Sequence, residues 1–161
     1  MFALDITIGK LYFVSDAFFE KVNDPFLKNN YDKTKRPHYY PIKDPATELH
    51  WLVPCSSRVE KFEAIIHARR VKGKPTDGIR LVVIQNKKTA LLFQDMFPVA
   101  VHYIEAPYIR GGQEVRIADP KVIAELEKNA KKTLSLLRHG VRFTPTQPDV
   151  FRIEMLMLAE L

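Results

Sequence analysis

The sequence predicts an α+β fold in which a compact, twisted antiparallel sheet or small barrel carries peripheral helices. Short apolar segments that alternate with period two fill most of the chain before Asp119, and Pro, Gly and Asn separate them. After Asp119 the apolar residues recur at helical spacing instead. With 161 residues, 46% of them hydrophobic, the chain is large enough for one core, so we predict a single domain over residues 1–161.

Apolar alternation and turn residues place the predicted strands along the chain. In order, strands are predicted at residues 3–13, 39–42, 47–53, 65–71, 79–85 and 97–104. Residues 89–94 fit either a short helix or a strand, because the apolar run is too short for its period to decide. Pro37 and Pro41 indicate that the second strand is irregular or lies at an edge, since proline donates no hydrogen bond to a neighbouring strand.

Helix start and stop signals are clearest in the last third of the chain. Asp119 as N-cap and Pro120 at the first helical position predict a long helix that stops at His139 and Gly140. A C-terminal helix is predicted after Pro148. Nearer the N-terminus, a short helix is predicted over residues 16–22, and Ser15 as its N-cap gives it a clear start.

Composition excludes several classes of protein. Cys55 is the only cysteine, which rules out an internal disulfide and a four-cysteine zinc site. No histidine pair has close ligand spacing, so we predict neither a metal nor a cofactor. The N-terminus lacks the charged and apolar regions of a signal peptide, and charges interrupt every apolar run. We therefore expect a cytoplasmic protein that does not enter the membrane.

The net charge of +6 is concentrated in two segments. Residues 57–88 contain nine Lys or Arg and three acidic residues, and residues 28–43 contain five cations and one acid. The rest of the chain is net acidic. Such a local concentration of positive charge favours a polyanionic partner, nucleic acid above all. The simpler alternative is that these charges lie on solvated loops and helix faces and bind no partner.

Adjacent serines follow the predicted strand that Pro54 closes. Ser56 and Ser57 precede Arg58 and Lys61, so hydroxyl donors and cations stand at a strand end, where loops build sites on a rigid scaffold. Hydroxyls and cations together can hold a phosphate and stabilise charge that develops on it. The alternative is that the serine pair only caps a helix at residues 59–62.

His38 lies in the basic, aromatic segment 31–40, two residues after Arg36. An imidazole is the side chain best suited to proton transfer near neutral pH, so His38 is a candidate acid or base. A surface histidine without such a role is the alternative. The other histidines are weaker candidates: His50, His67, His102 and His139.

Aromatic side chains interleave with the cations of these segments. Tyr31, in a polar loop, is the best candidate to hold an RNA base, whereas Trp51 fits the core. The cations predicted to contact RNA are Lys33, Lys35, Arg36, Lys43, Arg58, Lys61, Lys87, Lys88 and Arg110.

The order of these segments resembles the toxins of type III toxin–antitoxin systems, the ToxN/AbiQ family, and most closely its CptN/TenpN branch. Tyr31, Pro37-His38 and the sequence PCSS at residues 54–57 carry most of the resemblance, with FQDMFPV at residues 93–99 and the long helix after Asp119. The resemblance implies a fold similar to CcdB and MazF. It implies that Ser57 is essential, that Ser56 and Tyr31 assist it, and that His38 stands where relatives have a lysine.

The resemblance also implies an activity and a partner. The activity is metal-independent RNA cleavage, in which the 2′-hydroxyl attacks the adjacent phosphate to leave a 2′,3′-cyclic phosphate and a 5′-hydroxyl. The partner is a structured antitoxin RNA repeat, a pseudoknot, which the toxin processes from a precursor and which joins toxins into a closed assembly. Two other functions stay open: an RNA-binding regulator that does not cleave, and a toxin of the same fold with a protein target.

Overall fold

An open seven-stranded antiparallel sheet forms the centre of the computed structural model, which describes residues 5–27 and 35–161. The strands are β1 (Leu11–Val14), β2 (Pro37–Lys43), β3 (His50–Ser56), β4 (Arg80–Ile84), β5 (Lys87–Leu91), β6 (Phe97–Val99) and β7 (Ile104–Pro107). Their order is β4-β5-β3-β2-β1-β7, and β6 also pairs with β3. The α+β prediction is confirmed. The small barrel is wrong, because β4 and β7 are the two ends of the sheet and do not pair with each other.

Four helices and a small hairpin surround the sheet. The helices are α1 (Asp16–Val22), α2 (Val59–Val71), α3 (Pro120–Arg138) and α4 (Val150–Leu158), and the hairpin joins β8 (Ile109–Arg110) to β9 (Gln113–Glu114). The predicted helix start after Asp119 is confirmed, since its side chain accepts a hydrogen bond from the Lys121 backbone N–H. No helix in the described part of the chain is long and apolar enough to cross a membrane.

The strand predicted at residues 65–71 is wrong, because these residues belong to α2. Ile65 and Ile66 are β-branched, which favours a strand. In the structure they lie on the helix, and their half-buried side chains pack against a small cluster that includes Phe62 and Leu92. Phe62 is the one buried residue of α2. The helix therefore lies on the surface and exposes most of its polar side chains.

β2 is a central strand and not an edge strand. It pairs with β1 on one side and with β3 on the other, and the register with β3 shifts between Tyr39 and Ile42, around Pro41. The predicted irregularity is therefore present, whereas the edge position is not. Pro54 lies within β3 and does not close it.

The core is rich in large aromatic side chains packed between the sheet and the helices. Trp51 on β3 is fully buried, which confirms its predicted place in the core. Phe18 of α1 stacks on Phe97 of β6 with ring centroids 5.2 Å apart. Burial of a large aromatic side chain contributes about 2–3 kcal/mol, so these rings hold the helices to the sheet that carries the site.

A charge network of one partly exposed arginine and two buried carboxylates ties the end of α3 to the rest of the fold. Arg138 Nη2 lies 2.6 Å from Asp44 Oδ2 and 2.7 Å from Glu154 Oε1, and both carboxylates are buried. We expect Arg138→Met to lower the free energy of unfolding by about 1–2 kcal/mol, because it leaves two buried carboxylates without this partner, although the partly exposed site lets water replace some of the lost contacts. Urea unfolding would measure this loss. The control is Arg142→Met at an exposed position; equal losses in the two variants would contradict the role of the network.

Candidate active site

Strand pairing places the two basic segments beside each other at one end of the sheet. His38 of β2 pairs with Pro54 of β3, so the residues just outside that pair, Arg36 and Ser56, lie next to each other. The Arg36 guanidinium confirms this proximity, since its Nη1 donates to the Cys55 carbonyl oxygen at 3.0 Å. The antiparallel register therefore joins segments that stand about 20 residues apart in sequence.

The turn from β3 into α2 places both serines at a helix N-terminus. Arg58 is the N-cap residue, and no side chain caps the helix. Instead, the Arg58 backbone N–H donates to Ser56 Oγ at 3.2 Å within the turn. Because the first N–H groups of a helix carry partial positive charge, this turn favours an anion beside Ser57.

A pocket of about 520 Å³ opens at this end of the sheet. It contains seven of the predicted site residues: Arg36, Ser56, Ser57, Arg58, Lys61, Lys87 and Arg110. Two are hydroxyls and five are cations, and none of the described residues that line the pocket is acidic. This composition suits a phosphate group, because hydroxyls donate to its oxygens and cations balance its charge.

The cations of the pocket differ in how they are held. Arg110 is fixed by the hydrogen bonds that its Nη2 donates to the carbonyl oxygens of Ile84, at 3.0 Å, and Gln85, at 3.2 Å. Within the described ranges, no carboxylate pairs with Arg58, Lys61 or Lys87. Their charges are therefore available to a ligand, while Arg110 joins the β8–β9 hairpin to the rest of the pocket wall.

Three of the predicted cations are engaged with carboxylates and do not line the pocket. Lys35 pairs with Glu105, and Lys88 pairs with Glu63. Lys43 lies at the other end of β2. Its Nζ is 2.7 Å from a Glu48 oxygen. Tyr31 and Lys33 lie outside the described residues, so their predicted roles stay predictions.

The side chain of His38 is fully buried and does not line the pocket. Its ring packs beside the rings of Phe19 and Phe97, with centroid distances of 6.3 and 5.3 Å. Burial, reinforced by the charge of Arg36, lowers the pKa of His38 to about 3, although nearby backbone groups oppose this shift in part. A neutral imidazole in the core fills space like an aromatic side chain.

The burial of His38 predicts sensitivity to acid. Between its ordinary pKa of 6.5 and its lowered pKa of about 3, only the unfolded state gains a proton, so stability is highest above pH 6.5 and falls below it. We expect this residue alone to cost about 3 kcal/mol of unfolding free energy at pH 4 relative to pH 7. Urea unfolding of wild type and His38→Leu at both pH values would measure the cost. Parallel losses in the two proteins would contradict it.

The pocket also contains residues that the sequence did not point to. Thr89 of β5 adds a third hydroxyl, and extending the Ser56–Ala90 pair by one residue places it beside Ser57. Tyr108, between β7 and β8, contributes a half-buried aromatic ring. Neither residue stands near the serines in sequence. Only the strand pairing could have indicated Thr89, and no local signal marks Tyr108.

Other reactive groups are poorly placed for chemistry. Cys55 is among the residues that line the pocket, but it is buried, and burial raises the pKa of its thiol to about 12, so the thiolate form is suppressed. No cluster of three or more His, Cys, Asp or Glu suited to a metal ion occurs among residues 5–27 and 35–161. A second pocket, of about 550 Å³, lies against α2, and its charges are mixed: Glu63 and Asp77 line it together with Arg70 and Arg80. None of its described lining residues is one of the predicted RNA-binding cations.

Comparison with known proteins finds structural similarity. No protein-family model and no curated protein matches the sequence. Among solved structures, AbiQ matches with a TM-score of 0.73, and the alignment covers 96% of this chain and 98% of AbiQ. The chain shares the fold of AbiQ. AbiQ is described as a lactococcal anti-phage endoribonuclease belonging to the type-III toxin–antitoxin system. At 11% sequence identity, the match concerns the fold.

The match with AbiQ agrees with the family resemblance at the level of the fold. A protein of the ToxN/AbiQ family has the same arrangement of sheet and helices over nearly the whole length of the chain. The more distant similarity to CcdB and MazF and the assignment to the CptN/TenpN branch stay predictions.

Proposed function

We propose that this protein is a toxin of the ToxN/AbiQ family and an endoribonuclease of a type III toxin–antitoxin system. The observation that carries the proposal is that seven residues predicted from the sequence line one pocket, with five cations and no acid among its described lining residues, on a fold shared with AbiQ. Hydroxyls beside cations, at an N-terminus of a helix, form a binding site for a phosphodiester.

The proposed reaction is an attack within the RNA strand. The 2′-oxygen forms a bond to the adjacent phosphorus while the bond from phosphorus to the 5′-oxygen breaks, which leaves a 2′,3′-cyclic phosphate and a 5′-hydroxyl. The proton of the 2′-hydroxyl passes to solvent, and the 5′-oxygen receives a proton from a pocket ammonium group, Lys61 or Lys87. The in-line geometry has to be imposed by the site, so positioning contributes much of the rate increase.

The pocket residues divide this work between positioning and charge stabilisation. Ser57 donates a hydrogen bond to a non-bridging phosphate oxygen, and Ser56 maintains the turn that presents Ser57. Arg36 and Arg58 stabilise the negative charge that grows on the phosphate in the transition state. We assign no proton transfer to His38, because its ring lies in the core.

The proposal includes a regulatory partner and a cellular role. A folded antitoxin RNA repeat occupies the same pocket, is released from its precursor by the same cleavage, and joins toxins into a closed assembly. In the cytoplasm the free toxin cleaves cellular RNA and stops growth. Because AbiQ is described as anti-phage, we extend the proposal to defence against phage.

Incubation of the purified protein with mixed cellular RNA in EDTA tests the proposed function. We expect discrete fragments with 2′,3′-cyclic phosphate and 5′-hydroxyl ends, since no metal takes part in the proposed reaction. Intact RNA that shifts on a gel would instead support a regulator that binds without cleaving. The absence of both cleavage and binding would support a protein target.

A further inference from the structure

Tyr108 places a partly exposed aromatic ring in the wall of the pocket. Two aromatic residues in the ranges that the structure describes line the pocket. Phe62 is buried, with 6% of its surface exposed, whereas Tyr108 is only half-buried. Phe62 faces its own apolar cluster with Ile79 and Leu92. Among the described residues, Tyr108 is therefore the one whose aromatic surface the pocket presents to a ligand.

The backbone and the ring of Tyr108 are both held in place. Its N–H donates to the Leu11 carbonyl oxygen at 2.8 Å, and its own carbonyl accepts from the Val115 N–H at 2.8 Å. Its ring packs against Phe13 of β1, with the centroids 5.4 Å apart and the planes inclined by 41°. A ring fixed in this way loses little conformational entropy when a ligand stacks on it.

The surroundings of Tyr108 combine this ring with positive charge. Arg110 follows two residues later and is fixed by the backbone of Ile84 and Gln85, while Arg58 and Lys61 approach from α2. Aromatic rings among cations are the usual arrangement for single-stranded nucleic acid, in which bases stack and phosphates contact the charges. In a duplex both faces of a base are already stacked on its neighbours, so a paired base could not use this ring.

We propose that Tyr108 is a stacking platform for one unpaired base of the RNA, next to the phosphate that Ser57 holds. The inference rests on the proposed function and makes it more specific: the substrate is single-stranded at the nucleotide beside the scissile bond. Tyr108 acts as a specificity-determining residue, because it selects for an unstacked base without reading the identity of that base through hydrogen bonds.

An abasic scan of a synthetic RNA tests this role. The probe is a 2′-fluoro RNA strand of about ten nucleotides, which cannot undergo 2′-hydroxyl attack, with one abasic position moved along it. For the wild type, we expect one position at which loss of the base weakens binding about 10-fold or more. In Tyr108→Leu the penalty at that position should disappear, while loss of a base at the other positions should have the same small effect as in the wild type. Tyr108→Phe should behave as wild type, because it retains the ring.

The outcomes separate this inference from the proposed function. If the wild type binds the probe but loses affinity evenly along it, or if Tyr108→Leu keeps the penalty at that position, the stacking role is wrong and the function stands. If the wild type does not bind the probe and does not cleave natural RNA, the proposed function fails as well. Thermal unfolding of both variants controls for the lost contact with Phe13. If Tyr108→Leu does not fold, Tyr108→Met, which has a flexible apolar side chain and no ring, takes its place in the abasic scan.

Discussion

Replacement of Ser57 by alanine is expected to slow RNA cleavage by about 10²–10³-fold, the usual cost of removing one donor that stabilises transition-state charge. Binding of uncleavable RNA should change by no more than about threefold, because the pocket cations remain and supply most of the affinity. The measurement is the single-turnover cleavage rate, together with the dissociation constant for a 2′-fluoro strand. Ser57 is exposed and the substitution removes one hydroxyl, so we expect the fold to be retained.

Ser135→Ala provides a matched control for this loss. Ser135 is an exposed serine on α3, is absent from the lining of the pocket, and loses the same hydroxyl in the variant. We expect it to cleave at the wild-type rate. A Ser57→Ala protein that cleaves as fast as the Ser135→Ala control would show that the chemistry takes place elsewhere.

Removal of two pocket cations is expected to lower the affinity for RNA and to make that affinity less dependent on the salt concentration. Arg58 and Lys61 lie at the start of α2 and have no carboxylate partner within the described ranges. Each phosphate contact to a single strand contributes about 0.7 to the slope of log affinity against log salt. The Arg58→Ala/Lys61→Ala double variant should therefore lose about 1.4 from that slope, and its affinity should fall at least about tenfold at low salt.

The control for the cation pair removes the same amount of positive charge from α3. Lys121 and Lys128 are exposed on that helix and do not line the pocket, so Lys121→Ala/Lys128→Ala should lower the affinity only slightly, through long-range charge. Titrations at several salt concentrations would compare the slopes. Equal slopes for the two double variants would mean that the RNA responds to net charge and does not occupy the pocket.

Local signals in the sequence were sufficient wherever a residue's role depends on its neighbours in the chain. Asp119 and Pro120 mark the start of α3 because capping involves adjacent backbone groups. The serine pair at the end of β3 was found for a similar reason, since a strand that ends in hydroxyls and cations is visible as a short segment. These signals located one wall of the pocket.

Tertiary contacts decided the features that the sequence predicted poorly. β2 accepts Pro41 in the centre of the sheet because its register with β3 shifts there, which a count of prolines does not indicate. His38 follows the cation Arg36, yet it is buried because β2 turns its ring toward Phe97. Tyr108 reaches the pocket only through the pairing of its backbone with residues from β1 and beyond β9. None of these contacts has a local signature.

The most direct test of the proposed active site is the structure of the protein bound to an RNA strand that has a 2′-fluoro group at the cleaved position. We predict that the scissile phosphate lies in the pocket, within hydrogen-bond distance of Ser57 Oγ and between the side chains of Arg58 and Lys61. An RNA strand bound on another surface, with the pocket open to solvent, would contradict the assignment of this pocket as the active site.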